Sequence, residues 1–152
     1  MLLNLSYKDK KIKSKINKEV GDEFNFIEKF KLRGNGSPKL LISECSSNID
    51  ELLSLNNNIK KCNIELRKKG IIIRFRSLLE TYGLIVPYYK LKIFKGKKNE
   101  ISLYKDNFSV KLKIIGKDVK DFFKKLKEQK YNYEKEFSKN MIMKFNNKSS
   151  KV

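Results

Sequence analysis

Lys60 to Ile115 reads KKCNIELRKKGIIIRFRSLLETYGLIVPYYKLKIFKGKKNEISLYKDNFSVKLKII. Apolar and polar residues alternate here in short runs, and turns rich in Gly, Lys, Asn and Asp separate the runs. Side chains one residue apart point to opposite faces of a strand, so this alternation predicts half-buried strands joined as hairpins. CNIEL and IIIRFR flank Arg67-Lys68-Lys69-Gly70, with Gly70 expected at a positive φ in the turn. Ile71, Ile73 and Phe75 make one face apolar, while the other turns basic beyond Ile72 with Arg74 and Arg76. Leu78 to Tyr82 forms the next turn. Pro87 cannot donate a ladder hydrogen bond, so it marks a strand end, an edge or a bulge. YYKLKIF places Leu91 and Ile93 inward, and Lys95 to Asn99 turns around Gly96. EISLY (Ile101, Leu103 inward) and FSVKLKI (Phe108, Val110, Leu112, Ile114 inward) meet at Lys105-Asp106-Asn107, with the cleanest period of two in the chain.

At Gly116 the period changes to 3.6. Asp118 is the expected N-cap of a helix, and Val119, Phe122, Phe123 and Leu126 form its apolar stripe. Tyr133, Phe137, Met141 and Phe145 continue the stripe at spacings of four after a slip at Lys130, where it is expected to weaken or bend. Upstream, KLLISEC (Lys39 to Cys45) reads as a strand. SSNIDELLSLNNN reads as a short helix capped by Asn48, with Asp50 and Glu51 in its first turn and Ile49, Leu52, Leu53 and Leu55 buried. RGNGSP (Arg33 to Pro38) is a loop, since the GxxxxGK[ST] spacing of a phosphate loop is absent. Phe24, Phe26, Phe30 and Leu32 suggest an extended run. Before it, Tyr7, Ile12, Ile16 and Val20 recur by four, which fits either a docked or surface-lying amphipathic helix or a frayed arm. The expected organisation is an N-terminal Lys-rich arm and loop (1–37), a sheet domain with its C-terminal helix (38–145) and a polar tail (146–152).

The chain has 152 residues, 39% of them hydrophobic and 35% charged, enough for one folded domain without a metal or disulfide staple. Its formal net charge of +19 favours polyanionic partners. Lys greatly outnumbers Arg, and Lys, Asn and Ile share AT-rich codons, so base composition is a second source of the charge. The only arginines are Arg33, Arg67, Arg74 and Arg76, few for a reader of phosphates and bases. Cys45 and Cys62 have no metal-ligand spacing and are expected to be reduced thiols. The opening MLLNLSYKDKK lacks the apolar core of a signal peptide, and no apolar run reaches the length of a membrane span. A cytoplasmic location is the resulting expectation.

Gly70-Ile71-Ile72-Ile73-Arg74 and Leu84-Ile85-Val86-Pro87-Tyr88-Tyr89 resemble a "G-I-x-[IV]" strand and a later "I-P-Y" strand end of the bacterial pleckstrin-homology-like domains. The resemblance spans residues 38–139 and leaves the N-terminal arm outside. It implies an α+β fold: a bent antiparallel sheet or partly open barrel of about seven strands, capped by a long C-terminal helix. It implies no shared catalytic site, and ligands, whether lipids, peptides or proteins, held by variable loops.

The chemistry of the residues points the same way. The chain has no His, the commonest general base and zinc ligand. No GxSxG occurs, neither cysteine has an activating His, and no carboxylate pair has a spacing suited to acid–base work. The expectation is a non-enzymatic module without metal or cofactor, its oligomeric state open. Two basic constellations remain. Lys60, Lys61, Arg67, Lys68 and Lys69, with Lys95, Lys97 and Lys98 in another turn, either converge on an anion or merely guard turns and edges against aggregation. Tyr88 and Tyr89, beside Lys90, Lys92, Arg74 and Arg76, either stack single-stranded bases or pack as core and under Lys stems. The leading expectation is a binding or adaptor module whose basic surface contacts an anionic membrane or an acidic protein patch. The alternative is a nucleic-acid-binding protein.

Overall fold

The computed structural model describes residues 1–149. Eight strands form one antiparallel sheet: β1 (Leu2–Asn4), β2 (Leu40–Cys45), β3 (Lys61–Arg67), β4 (Gly70–Ser77), β5 (Glu80–Pro87), β6 (Lys92–Lys95), β7 (Glu100–Lys105) and β8 (Phe108–Lys113). Their spatial order is β1-β5-β4-β3-β2-β8-β7-β6, which leaves the sheet open, with β1 and β6 at its edges. Four helices complete the described residues: α1 (Lys10–Val20), α2 (Phe26–Lys31), α3 (Ser47–Leu53) and α4 (Lys117–Ser149). The α+β class, the open antiparallel sheet and the long C-terminal helix are as expected. The strand number is eight rather than about seven, the addition being β1 from the N-terminal segment. The last helix runs four residues into the expected polar tail, whose remainder lies outside the described residues.

The two halves of the sheet share β2. Its start pairs with β3 (Leu40↔Cys62, Leu41↔Lys61) and its end with β8 (Cys45↔Val110), with a register shift between Ile42 and Glu44. An irregularity of that kind bends a strand, here from one half-sheet into the other. The enclosed face holds the main core, which includes Leu40, Ile64, Leu66, Ile71, Ile73, Phe75, Leu84, Val86, Ile101 and Leu112. Val119, Phe122, Phe123 and Leu126 of α4 close that core. Each such side chain contributes about 1.5–3 kcal/mol when fully buried, an upper figure because denatured chains are not fully extended.

The other face of the sheet is apolar where Ile72 and Ile85 stand, and it too is covered. Ile16 and Val20 of α1 bury against them, joined by Met1, Leu3, Leu5 and Ile12. Of the two readings of the N-terminal segment, the docked helix is therefore the one realised. Asp9 caps its start by accepting from Lys11 N at 2.8 Å, and Gly21, at φ 81°, ends it.

Several local expectations need correction. Phe26–Lys31 is a helix, not an extended run, because Asn25 and Glu28 form a reciprocal capping box. The α3 cap is Ser46, two residues before Asn48, and Leu55 is exposed beyond the helix end. The helix α4 begins at Lys117, so Asp118 lies in its first turn, where a negative charge suits the helix dipole. The β4–β5 turn is confined to Leu78-Leu79. Gly70 needs no positive φ; it is the site of a close approach. A Cβ there would lie 2.4 Å from Val86 O, 2.7 Å from Val20 Cγ1 and 2.8 Å from Pro87 Cα.

Two of those three contacts are backbone atoms, which cannot swing aside. Gly70→Ala is thus expected to destabilise the fold by about 1–3 kcal/mol or more, measured by urea denaturation.

Candidate anion-binding groove

Beside the end of the sheet where β3 begins and β4 ends lies a groove of about 620 Å³. Lys61 and Asn63 on β3, Arg74 and Arg76 on β4, Lys39 before β2 and Asn56 after α3 supply its polar lining, over Leu53, Cys62 and Phe75. Pairing brings them together: Asn63 faces Arg74 across the ladder, and Arg76 faces Thr81. Among the described residues, four cations and no carboxylate line the groove. Arg74 donates to Glu65 Oε1 at 2.6 Å, whereas Lys39, Lys61 and Arg76 make no ion pair among the described residues.

The rim is apolar. Ile59 and Leu78 line the groove's mouth, and Leu55 and Leu79 stand beside them in the same two loops, all exposed, Leu79 at 87%. Polar ties join the loops. Asn56 accepts from Leu78 N at 2.8 Å and donates to Arg76 O at 2.7 Å, while Ser77 Oγ donates to Leu52 O at 2.6 Å. Leu78 has φ 55°, an uncommon conformation for a bulky residue, and the Asn56 bond holds it there.

The structure divides the sequence-predicted residues. Lys61, Arg74 and Arg76 meet in the groove, and Lys39 joins them as a cation that the pattern of turns did not point to. Lys60 is taken by Asp50 in an ion pair. Lys68 and Lys69 form the turn at the opposite end of β3, about 20 Å from Lys61 along the strand, and Lys68 pairs with Glu28 at 3.5 Å. Lys95 borders a smaller hollow with Lys120, Lys124 and Lys127 over Ile101 and Phe123, and Lys97 and Lys98 are exposed in the β6–β7 turn. The basic turns therefore do not converge on one anion. Tyr88 is fully buried, its ring 5.7 Å from that of Tyr133 and its hydroxyl donating to Arg67 O at 3.3 Å. It cannot stack bases. Tyr89 is exposed beside Lys90, which matches the expectation of one core tyrosine and one under a Lys stem.

Arg67 is the largest departure. It is only 4% exposed, and its guanidinium donates to Glu65, to Asn17 Oδ1 at 3.1 Å, to Gly21 O at 3.3 Å and to Glu23 at 3.3 Å. Four of its five donors thus tie β3 to α1 and to the segment that follows it, and its burial keeps the guanidinium from a surface ligand. Burial raises the Glu65 carboxyl, but hydrogen bonds from Arg67 and Arg74 outweigh it and hold the group below the usual carboxylate range. Both cysteines are free; burial pushes the Cys62 thiol up to about 12 and, with Asp50 nearby, raises that of Cys45. Among the described residues no cluster of His, Cys, Asp or Glu is placed to hold a metal, and no helix is long and apolar enough to cross a membrane. No protein family, curated protein or solved structure was found to match the chain.

A carboxylate with a depressed folded pKa stabilises the protein above the ordinary carboxylate range and ceases to do so as pH falls through the folded value. Glu65→Gln is therefore expected to cost about 1–3 kcal/mol at pH 7, by leaving buried Arg67 with only the more exposed Glu23 as counter-charge. The gap between wild type and variant should close as pH is lowered into the acid range, followed by denaturant titrations at each pH.

Proposed function

We propose that the protein is a non-catalytic module that docks on anionic membrane surfaces through this groove and its rim. The observation that carries the reading is the pairing of three cations without an ion pair among the described residues (Lys39, Lys61 and Arg76), and of Arg74, which shares Glu65, with four exposed aliphatic side chains on two tied loops. Headgroup phosphates would meet Lys39, Lys61, Arg74 and Arg76, while Leu55, Ile59, Leu78 and Leu79 enter the boundary of the acyl chains. The magnitudes require both parts. A Lys or Arg near an anionic surface contributes about 1 kcal/mol, so four alone give weak, salt-sensitive attachment. Leucines leaving water add a component that salt does not screen. The ties through Asn56 and Ser77 set the tips in place before contact, which lowers the ordering cost of binding.

The resemblance of Gly70–Arg74 and Leu84–Tyr89 to pleckstrin-homology-like domains supports the same class of activity, since such domains bind lipids, peptides or proteins through variable loops. The free thiols support a reducing, cytoplasmic setting. Of the two tyrosines on which base stacking would depend, Tyr88 is buried and Tyr89 alone is exposed, which weakens the nucleic-acid reading.

Co-sedimentation with anionic and neutral vesicles tests the proposal. Lys61→Glu with Arg76→Glu should weaken binding to anionic vesicles about tenfold or more. Lys68→Glu with Lys69→Glu lowers the +19 charge by the same amount and should change binding far less. Leu78→Asn with Leu79→Asn should leave binding that vanishes near physiological salt. Equal losses from the two charge reversals, or displacement of the protein from vesicles by oligonucleotide or acidic peptide, would count against a membrane site at the groove.

A further inference from the structure

The helix α4 leaves the body of the protein after Tyr133. Tyr133 still packs on Tyr88, and Phe137 stacks on Tyr133 at 6.2 Å. From Glu134 to Lys148 every residue is exposed, and the helix from Glu134 to Ser149 extends about 24 Å. On this overhang Phe137, Met141 and Phe145 are 55%, 54% and 72% exposed. Their spacing of four makes them one ridge of the helix surface. Glu134 and Lys148 lie seven residues before and after Met141, two turns in each direction, and so fall on the same face as the ridge. Outward from Met141 the face reads Phe then Glu in one direction, and Phe then Lys in the other.

That pattern is its own complement under a two-fold rotation, the requirement for an isologous contact. We propose that the overhang is a homodimer interface, two copies packing antiparallel with Met141 on the two-fold axis. Phe137 then meets Phe145 of the partner subunit, Met141 meets its own counterpart, and Glu134 meets Lys148 of the partner subunit. A parallel pair would instead set Glu134 against Glu134 and Lys148 against Lys148. A bilayer is a poor occupant as well, because both charges sit within the apolar face and would be carried toward the acyl chains. Glu134 already accepts from Lys130 one turn back, and its second oxygen remains for the partner.

The root of the overhang offers further cover. Phe26, Ile27 and Phe30 of α2 are 85%, 66% and 80% exposed. Glu28 of α2 pairs with Lys68 in the β3–β4 turn, and Tyr88, which bonds the carbonyl of Arg67 beside that turn, touches Tyr133. The tip of an antiparallel partner helix returns toward this same end of the molecule. Docking on α2 would bring the contact nearer to the area that stable dimers use.

Sedimentation equilibrium on the full chain, at concentrations up to about 100 µM, tests the pairing. Wild type is expected to dimerise. Met141→Lys, which sets two like charges on the axis, and the single changes Glu134→Lys and Lys148→Glu should each weaken dimerisation about tenfold or more. The double change Glu134→Lys/Lys148→Glu should restore it to within about threefold of wild type, because it exchanges the two charges across the axis. All these side chains are exposed, so melting temperatures of the dilute variants should match. A wild-type monomer throughout, indifference to Met141→Lys, or a double variant no better than the singles would overturn the proposal.

Discussion

Both faces of β4 are buried at once over its first half, and the rest of the architecture answers to that constraint. Ile71, Ile72 and Ile73 are each at most 2% exposed although they alternate between opposite sides of the sheet. One cover comes from the folded-over half-sheet and α4, the other from β1 and α1. The ladder pairs β4 with β5 along its whole length and with β3 from Gly70 to Arg74, so neither neighbour can slip without turning apolar side chains to water. Gly70 belongs to the same constraint. It is where Val20, Val86 and Pro87 crowd the strand from two directions, and only a residue without a side chain admits all three.

The strands were legible because their alternation is set by the side-chain geometry of the strand itself, as in Ile101 to Leu112. The start of α4 was legible because four apolar residues at helical spacing have no other economical burial. The N-terminal strand was not, because Leu2–Asn4 is too short to carry a period and owes its form to pairing with β5. The misread segment at Phe26 had a local signal, Asn25 followed three residues later by Glu28, which outweighs the strand preference of phenylalanine. Ile72 and Ile85 also carried information: an apolar pair on an otherwise polar face announces a cover, and Ile12, Ile16 and Val20 supplied one.

The groove was only partly legible, for a reason of a different kind. Counting lysines in turns measures how much charge is exposed and says nothing of which carboxylates lie across the chain from it. Lys60 and Lys68 were lost to Asp50 and Glu28 through contacts that no spacing along the chain reveals, whereas Arg67 was lost in part to Glu65, two residues back on the same strand face. Lys61 and Arg76 keep their charge without an ion pair among the described residues, while Arg74 shares Glu65 with Arg67. Electrostatic surfaces in a chain this basic are therefore defined less by where the lysines are than by where acids are missing.

The pairing of Leu2 with Leu84 and Asn4 with Tyr82 has a consequence for how the chain acquires its shape. The first strand is synthesised long before its partner, and closing so wide a loop is entropically slow compared with forming the local hairpins of β3 to β5. Those hairpins would assemble first, with Ile72 and Ile85 bare and the outer hydrogen-bonding edge of β5 unoccupied. Such an edge is a template for any extended chain nearby. The N-terminal segment then acts as an internal guard, seating itself last over the surface that would otherwise recruit a neighbour. Loss of that guard would be felt first as aggregation during synthesis and only afterwards as lowered stability of the finished protein.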